Sequence, residues 1–115
     1  RENLIRTMTK LSNLGIDSVL VSMGEHGLLA YYREVDKFYQ TSIPDISGEN
    51  KGTEVGCGDA LVGGYVVGIQ HDMPVEDTLR YAVTCGTANL LTEEPGRIDK
   101  KNIDKYLQAV KITTV

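Results

Sequence analysis

Four consecutive residues, Gly56, Cys57, Gly58 and Asp59, stand directly before a long apolar run, ALVGGYVVGI. The apolar run predicts a helix, and glycines before a helix allow a ligand to approach the backbone closely. The N–H groups of a first helical turn have no partner within the helix and lie at the positive end of its dipole, so they can converge on an anion. The sequence therefore predicts an anion-binding site at the start of this helix.

Asp59 is an unusual neighbour for such a site, because a carboxylate repels the anion that the amides attract. Its position is explained if it acts as a general base, which accepts the proton of a substrate hydroxyl as that oxygen attacks a phosphoryl group. The amides would then hold the charge that develops on the transferred group. The alternative is that Asp59 caps the helix, since aspartate is a favoured N-cap residue. The residues alone leave both interpretations open.

A second motif, SMGEHG at residues 22–27, follows a β-branched run that is typical of a strand. Its glycines, Gly24 and Gly27, are three positions apart. Such a turn can expose backbone amides toward a nucleotide phosphate or ribose, with Ser22 as a hydroxyl donor. An ordinary hairpin turn is the alternative. The sequence matches neither the P-loop pattern nor the Rossmann glycine pattern, which excludes the P-loop class.

Composition and charge narrow the class of protein. The chain has 115 residues, of which 41% are hydrophobic, enough for one modest domain core. Its net charge of −4 and its scattered basic residues argue against nucleic-acid binding. Cys57 and Cys85 make a poor disulfide framework, and no basic region followed by an apolar core stands at the amino terminus, so we expect a cytoplasmic protein. The longest uncharged run, residues 60–71, is too short to cross a bilayer.

The predicted elements are those of an α/β domain, with strands in the first half and helices in the second. Apolar runs predict strands at residues 17–23, 28–32, 37–43 and 111–115. Helical spacing predicts helices at residues 2–14, 60–69, 75–91 and 98–110. Gly15 is expected to end the first helix and Pro95 the third. Small residues at Ala60, Gly64 and Gly68 predict close packing of the second helix on a neighbour.

The two motifs, in this order and in this strand–loop–helix context, resemble the carboxy-terminal part of the PfkB, or ribokinase-like, carbohydrate kinases. In that family a strand ending in Ser-x-Gly-x-x-Gly is followed by Gly-Ala/Ser/Cys-Gly-Asp at a helix start, here SMGEHG and GCGD. TCGTANLL and EEPG are similar to the family's last large helix and its exit loop. Within that family, the sequence most resembles the sugar-phosphate kinases, such as 1-phosphofructokinase and tagatose-6-phosphate kinase. The resemblance implies the carboxy-terminal part of a three-layer α/β/α fold.

The resemblance also implies roles for particular residues. Asp59 would be the catalytic base that activates the substrate hydroxyl. The residues that would form the anion hole are Gly56, Cys57 and Gly58. The residues that would bind the nucleotide are Ser22, Gly24, Gly27 and Asn89, the last of them near the adenine pocket. For Asn89 the alternative is a polar side chain that is solvated or bonded locally.

The resemblance implies ATP with Mg²⁺ as cofactor, optionally with a monovalent cation. It implies ATP and a sugar or sugar phosphate as partners. No residue of this sequence is assigned as a metal ligand. The family's Asn-x-x-Glu motif, which is associated with magnesium and phosphate, does not occur in these 115 residues.

The resemblance covers nearly all of this chain but only part of the family's length. We therefore expect residues 1–115 to be a single domain and a fragment of a longer kinase, in which Val19, Leu20 and Val21 lack neighbours to cover them. The chain alone is expected to be inactive as a sugar kinase, and to self-associate or form a homo-oligomer. The alternative is a non-catalytic nucleotide-binding or assembly module that has the kinase fold without the sugar half.

Overall fold

The computed structural model describes residues 2–49, 51–52, 54–94 and 97–115. The helices are α1 Glu2–Asn13, α2 Cys57–Gln70, α3 Val75–Leu90 and α4 Lys100–Tyr106. The strands are β1 Ser18–Ser22, β2 Leu28–Tyr32, β3 Lys37–Thr41 and β4 Ile112–Thr114. Short 3₁₀ turns occupy Gly24–His26 and Leu107–Ala109. The predicted α/β class and the order of its elements are confirmed, while the expected helix end at Pro95 lies outside the described residues. Across the described part of the chain, no helix combines the length and apolar character that a membrane span requires.

The four strands form one antiparallel sheet in the order β1-β2-β3-β4. Two hairpins join the first three strands, with Val21 opposite Leu29 and Ala30 opposite Tyr39. β4 comes from the end of the chain and pairs with β3, with Ile112 opposite Thr41. The carboxy-terminal segment is thereby tied to the strands of the first half.

Strand β2 is buried on both faces, which makes the sheet the middle of three layers. Leu28 and Ala30 pack on the side of α3, in a cluster that includes Leu79 and Val83 of that helix. The alternate residues Leu29 and Tyr31 pack on the side of α1. Because successive side chains of a strand point to opposite faces, an almost continuous apolar run is what a strand between two helical layers requires.

The expectation that Val19, Leu20 and Val21 lack neighbours is wrong. Val19 and Val21 pack against the cluster around Met8 of α1. Leu20 packs against the cluster on the α3 side. The expectation failed because it considered only missing strands, whereas packing against the α1 side and the α3 side leaves these three side chains half-buried. β1 is nonetheless the edge of the sheet over the described residues, with β2 as its strand neighbour.

Helices α2 and α3 are in close contact, as the small residues of α2 predicted. A Cβ at Gly64 would lie 2.9 Å from the Sγ of Cys85, and one at Gly68 would lie 2.6 Å from the Cγ2 of Thr78. Neither glycine can be enlarged without moving the helices apart. The other face of α2 is open, since Val62, Val66 and Ile69 are between 45% and 59% exposed.

Candidate functional site

The two glycine motifs lie on the same cleft, which has a volume of about 660 Å³. The strand-end motif contributes Ser22, Gly24 and Gly27, and the helix start contributes Cys57 and Gly58. Local sequence patterns predict each motif separately. Their meeting at one cleft is a result of the fold.

The SMGEHG segment is a hairpin loop that also lines the cleft. Met23 N–H donates to the carbonyl of Gly27 at 2.7 Å, and Gly27 N–H donates to the carbonyl of Gly24 at 3.1 Å. Gly24 and Gly27 have φ angles of 55° and 89°, in the left-handed region that favours glycine. The hairpin alternative is therefore correct for the backbone, and it does not exclude a binding role.

Gly27 is required by packing as well as by its backbone angle. A Cβ at this position would lie 2.1 Å from the carbonyl oxygen of Thr41. Thr41 is buried, and its Oγ1 accepts a hydrogen bond from Leu28 N–H at 3.1 Å. The turn is therefore held tightly against β3.

We expect Gly27→Ala to lower the free energy of unfolding by about 3 kcal/mol, because it combines left-handed strain with a backbone clash. Gly24→Ala is the matched control: nothing lies within 4 Å of a Cβ there, so only the strain of about 1 kcal/mol remains. Urea unfolding of both variants measures the difference. Equal losses would show that the contact with Thr41 does not constrain the turn.

Helix α2 begins earlier than predicted, at Cys57 rather than Ala60. Gly56 is the N-cap residue in the left-handed conformation, and Ala60 N–H donates to its carbonyl at 2.8 Å. Glycine is a poor helix former, which is why sequence patterns place the start too late. Cys57 N–H donates to the carbonyl of Glu54 at 3.3 Å, so a turn already engages this amide of the predicted anion hole. The N–H groups of the next two residues have no partner within the helix.

Asp59 is the third residue of α2 and its side chain is exposed. The alternative that it caps the helix is wrong, because Gly56 occupies the N-cap and no side chain caps this end. Asp59 does not line the cleft, although its neighbour Gly58 does. It shares the exposed helix face with Val62 and Val66, which follow it at helical spacing. The carboxylate thus stands beside the cleft, toward the uncovered side of α2.

Asn89 is fully buried, so the alternative of a solvated polar side chain is wrong. Its Nδ2 donates to the carbonyl of Val55 at 2.9 Å and to the Sγ of Cys57 at 3.2 Å. The structure places this side chain beneath the loop before α2 rather than on the cleft. Its assignment to the nucleotide stays a prediction.

Helix α3 contributes a wall of the cleft that was not assigned from the sequence. The lining residues of this helix are Val83, Gly86, Thr87 and Leu90. They recur at spacings of three and four, which place them on one face. Helical spacing predicted the helix at residues 75–91, but periodicity cannot distinguish a face buried in a core from one that borders a cleft.

The connection between β3 and α2 forms another wall, and hydrogen bonds fix its shape. Ser47 N–H donates to the Oδ1 of Asp45 at 2.9 Å, which lowers the pKa of that carboxyl. Further along, the Glu49 carboxylate accepts hydrogen bonds from Lys105 Nζ and, at 2.9 Å, from the hydroxyl of Tyr106. These bonds lower the pKa of Glu49 and raise that of Lys105. The connection is therefore anchored to α4.

The stability that the hydrogen bonds of Glu49 to Lys105 and Tyr106 contribute should depend on pH. Because the pKa of Glu49 is lowered in the folded state, its contribution to stability is present above the unfolded value of about 4.3 and is lost as the pH falls through the folded value. We expect Glu49→Gln to be less stable than the unaltered chain at neutral pH, and this difference to disappear in acid. Urea unfolding at several pH values measures it, with the exposed Glu93→Gln as control. A difference independent of pH would contradict the ionic origin of the anchor.

The side chains of the cleft do not favour a polyanion by charge alone. Of the described residues, three carboxylates, Glu25, Asp45 and Glu54, line it together with one cationic side chain, Lys51. Among the described residues, no group of three His, Cys, Asp or Glu side chains could hold a metal ion. A phosphate ligand would therefore depend on backbone amides and on a counter-cation that it brings with it.

Comparison with known proteins agrees with the fold and with the two motifs. Residues 1–101 match the pfkB family of carbohydrate kinases, and the chain belongs to this family. It is 34% identical over 104 residues to 1-phosphofructokinase of Bacillus subtilis (strain 168), which covers 90% of this chain and 32% of the relative. It is 30% identical over 100 residues to a tagatose-6-phosphate kinase of Staphylococcus epidermidis, covering 87% of this chain and 31% of the relative.

The crystal structure of a candidate phosphofructokinase from Staphylococcus aureus superposes with a TM-score of 0.85 at 27% identity, over 99% of this chain and 35% of that one. The ribokinase-like α/β fold and the resemblance to sugar-phosphate kinases are confirmed. The chain spans about one third of the length of these relatives.

Proposed function

We propose that residues 1–115 are the nucleotide-binding and base-bearing part of a longer ATP-dependent carbohydrate kinase. This enzyme would transfer the γ-phosphoryl group of ATP to a hydroxyl of a sugar or sugar phosphate. The observation that supports it best is that the SMGEHG turn lines one cleft together with Cys57 and Gly58 of the GCGD helix start. The names of the two curated relatives favour a sugar phosphate as the acceptor.

The cleft offers separate surfaces for the two parts of a nucleotide. Leu61, Val83 and Leu90 supply apolar surface on which a nucleoside can pack. The helix start at Gly58 supplies amides and the positive end of the α2 dipole for the phosphates. Ser22 and Gly24 border the opposite side and would contact the ribose or a phosphate.

In the proposed reaction, the hydroxyl oxygen of the acceptor forms a bond to the γ-phosphorus while the bond to the leaving ADP oxygen breaks. Asp59 would accept the proton of that hydroxyl, which makes the attacking oxygen more nucleophilic. The first amides of α2 would stabilise the charge on the transferred phosphoryl group. The exposed position of Asp59, beside the cleft and outside its lining, fits an acceptor that approaches from the uncovered side of α2.

A divalent cation accompanies ATP in reactions of this kind and neutralises charge on its phosphates. The described residues hold no metal-ligand cluster. We therefore assign no ligand for magnesium, or for a monovalent cation, to this chain and derive no step through either ion.

The proposal is tested with the full-length protein that carries this chain. ATP consumption is measured against a panel of sugars and sugar phosphates, and ATP binding by residues 1–115 is measured by calorimetry. We expect ADP formation to depend on one acceptor, and the isolated chain to retain weak ATP binding. A full-length protein that binds ATP but shows no turnover with any acceptor of the panel would instead support a non-catalytic nucleotide-binding or assembly module.

A further inference from the structure

Asn89, in the last turn of α3, contacts the loop before α2 on both sides of Gly56. Its Nδ2 donates to the carbonyl of Val55 at 2.9 Å and to the Sγ of Cys57 at 3.2 Å. The side chain has no exposed surface, so its own position is fixed by the surrounding core. One buried amide therefore holds both flanks of the residue at which the chain enters the helix.

The backbone conformation of Gly56 sets the direction of the loop before α2, and burial of side chains contributes little to stabilising this loop. Its φ of 87° and ψ of −3° turn the chain into α2. Val55 is 65% exposed and Glu54 is exposed as well, so apolar packing cannot fix the turn. Hydrogen bonds to the Val55 carbonyl and to the Cys57 sulfur supply the constraint that packing does not.

The end of α3 holds the same loop at a second point. Gly52 N–H donates at 2.8 Å to the carbonyl of Leu90, which has no partner within the helix. A Cβ at Gly52 would lie 1.9 Å from the carbonyl oxygen of Thr92. The carboxyl end of α3 thus holds the connection at Gly52 and again at its entry into α2.

Asparagine suits this position chemically. Its NH₂ group carries two donors, which can serve a carbonyl and a sulfur at once. Aspartate has the same size, but when ionised it carries only acceptors and would face the Val55 carbonyl with negative charge. An apolar side chain would leave that carbonyl without this donor.

We propose that Asn89 is a positioning residue, which sets the orientation of the first amides of α2 by holding Val55 and Cys57. Its effect on phosphoryl transfer rests on the proposed function. Its effect on the loop does not, and can be measured without turnover.

The first test is hydrogen exchange by NMR on the 115-residue chain with Asn89→Asp. The reporter is the Ala60 amide, which donates to the carbonyl of the N-cap residue Gly56, and the amides of β2 are the internal reference. We expect Ala60 to exchange at least about tenfold faster relative to β2, since loss of even one of the two buried hydrogen bonds of Asn89 produces a change of this size. If the exchange rate of Ala60 rose only as much as the rates of β2, or did not rise, the inference would be overturned.

The matched control is Thr84→Val, at an equally buried polar residue of the same helix. The Oγ1 of Thr84 donates to the carbonyl of Arg80 at 2.7 Å, within α3 itself. Losing this bond should leave the ratio of Ala60 exchange to β2 exchange unchanged. A changed ratio would show that any loss in α3 opens the loop, which contradicts a specific role for Asn89.

Alkylation by iodoacetamide gives a second readout. Cys57 is half-buried, whereas Cys85 is buried, which raises the pKa of its thiol and slows its reaction. We expect Asn89→Leu, which removes the donor without placing a negative charge beside the sulfur, to raise the rate at Cys57 about tenfold, with peptide mapping to separate the two sites. An unchanged rate at Cys57 would overturn the inference.

The role in the reaction is tested in the full-length kinase. We expect Asn89→Asp to lower kcat about tenfold and to raise the KM for ATP by a smaller factor, since the first amides of α2 contact the phosphates of ATP but stabilise most strongly the charge that develops in the transition state. An opened loop with unchanged kcat would overturn this role of Asn89. Failure of the proposed function itself would be distinct, because the unaltered protein would then show no turnover.

Discussion

Replacement of Asp59 by asparagine in the full-length protein is expected to lower kcat by about 10² or more, the contribution that general-base catalysis typically makes. Asparagine has the same size but cannot accept the proton of the acceptor hydroxyl. Binding of ATP should be retained, because Asp59 does not line the cleft. Turnover is measured at saturating acceptor, and ATP affinity is measured separately by calorimetry.

The variant must be distinguished from one that merely loosens α2. Asp59 lies in the first turn, where a carboxylate stabilises a helix by about 0.3–1 kcal/mol through its dipole, so a small loss of stability is expected. Thermal unfolding measures that loss, and Asp104→Asn, an exposed aspartate of α4, controls for removal of a surface charge. Near-normal turnover of the Asp59 variant would reduce this residue to a favourable charge at a helix start.

The isolated chain of residues 1–115 is expected to show no sugar-dependent turnover. Orienting two substrates contributes effective concentrations of about 10⁵–10⁸ M, and closing a site against water strengthens each electrostatic contact within it. Here the proposed base lies on an exposed helix face, beside Val62 and Val66. An acceptor at that face would meet solvent on its other side. ATP consumption with a panel of sugars and sugar phosphates tests this expectation.

Self-association of the same chain is expected from the same surface. Val62, Val66 and Ile69 form an exposed apolar row on α2, and such surfaces are rarely left to solvent. Light scattering measures the molar mass, and Val66→Glu is expected to shift it toward the monomer. Sugar-dependent turnover by a monomeric chain would contradict the assignment of residues 1–115 as one part of a larger catalytic unit.

The sequence by itself determined the features that have a local cause. The apolar spacing of residues 2–14 predicts helix α1, and the small residues Ala60, Gly64 and Gly68 predict the close contact of α2 with α3. The apolar runs of the first two strands and the glycines of their turn predict the hairpin. These features repeat with the period of one element, so neighbours in sequence carry the information.

Other features were decided only by the tertiary structure. Glu49 meets Lys105 across 56 positions, and the SMGEHG turn meets the start of α2 at one cleft. Asn89 carries no sequence signal that distinguishes a nucleotide contact from a buried donor to the loop at Val55. Asp59 fits the pattern of a helix cap until the left-handed Gly56 is seen to occupy that place. For the first three the physical reason is the same: the partner of each group is chosen by how distant segments pack, and no local periodicity records that choice. For Asp59 the reason is the backbone conformation of Gly56, which residue types alone do not fix.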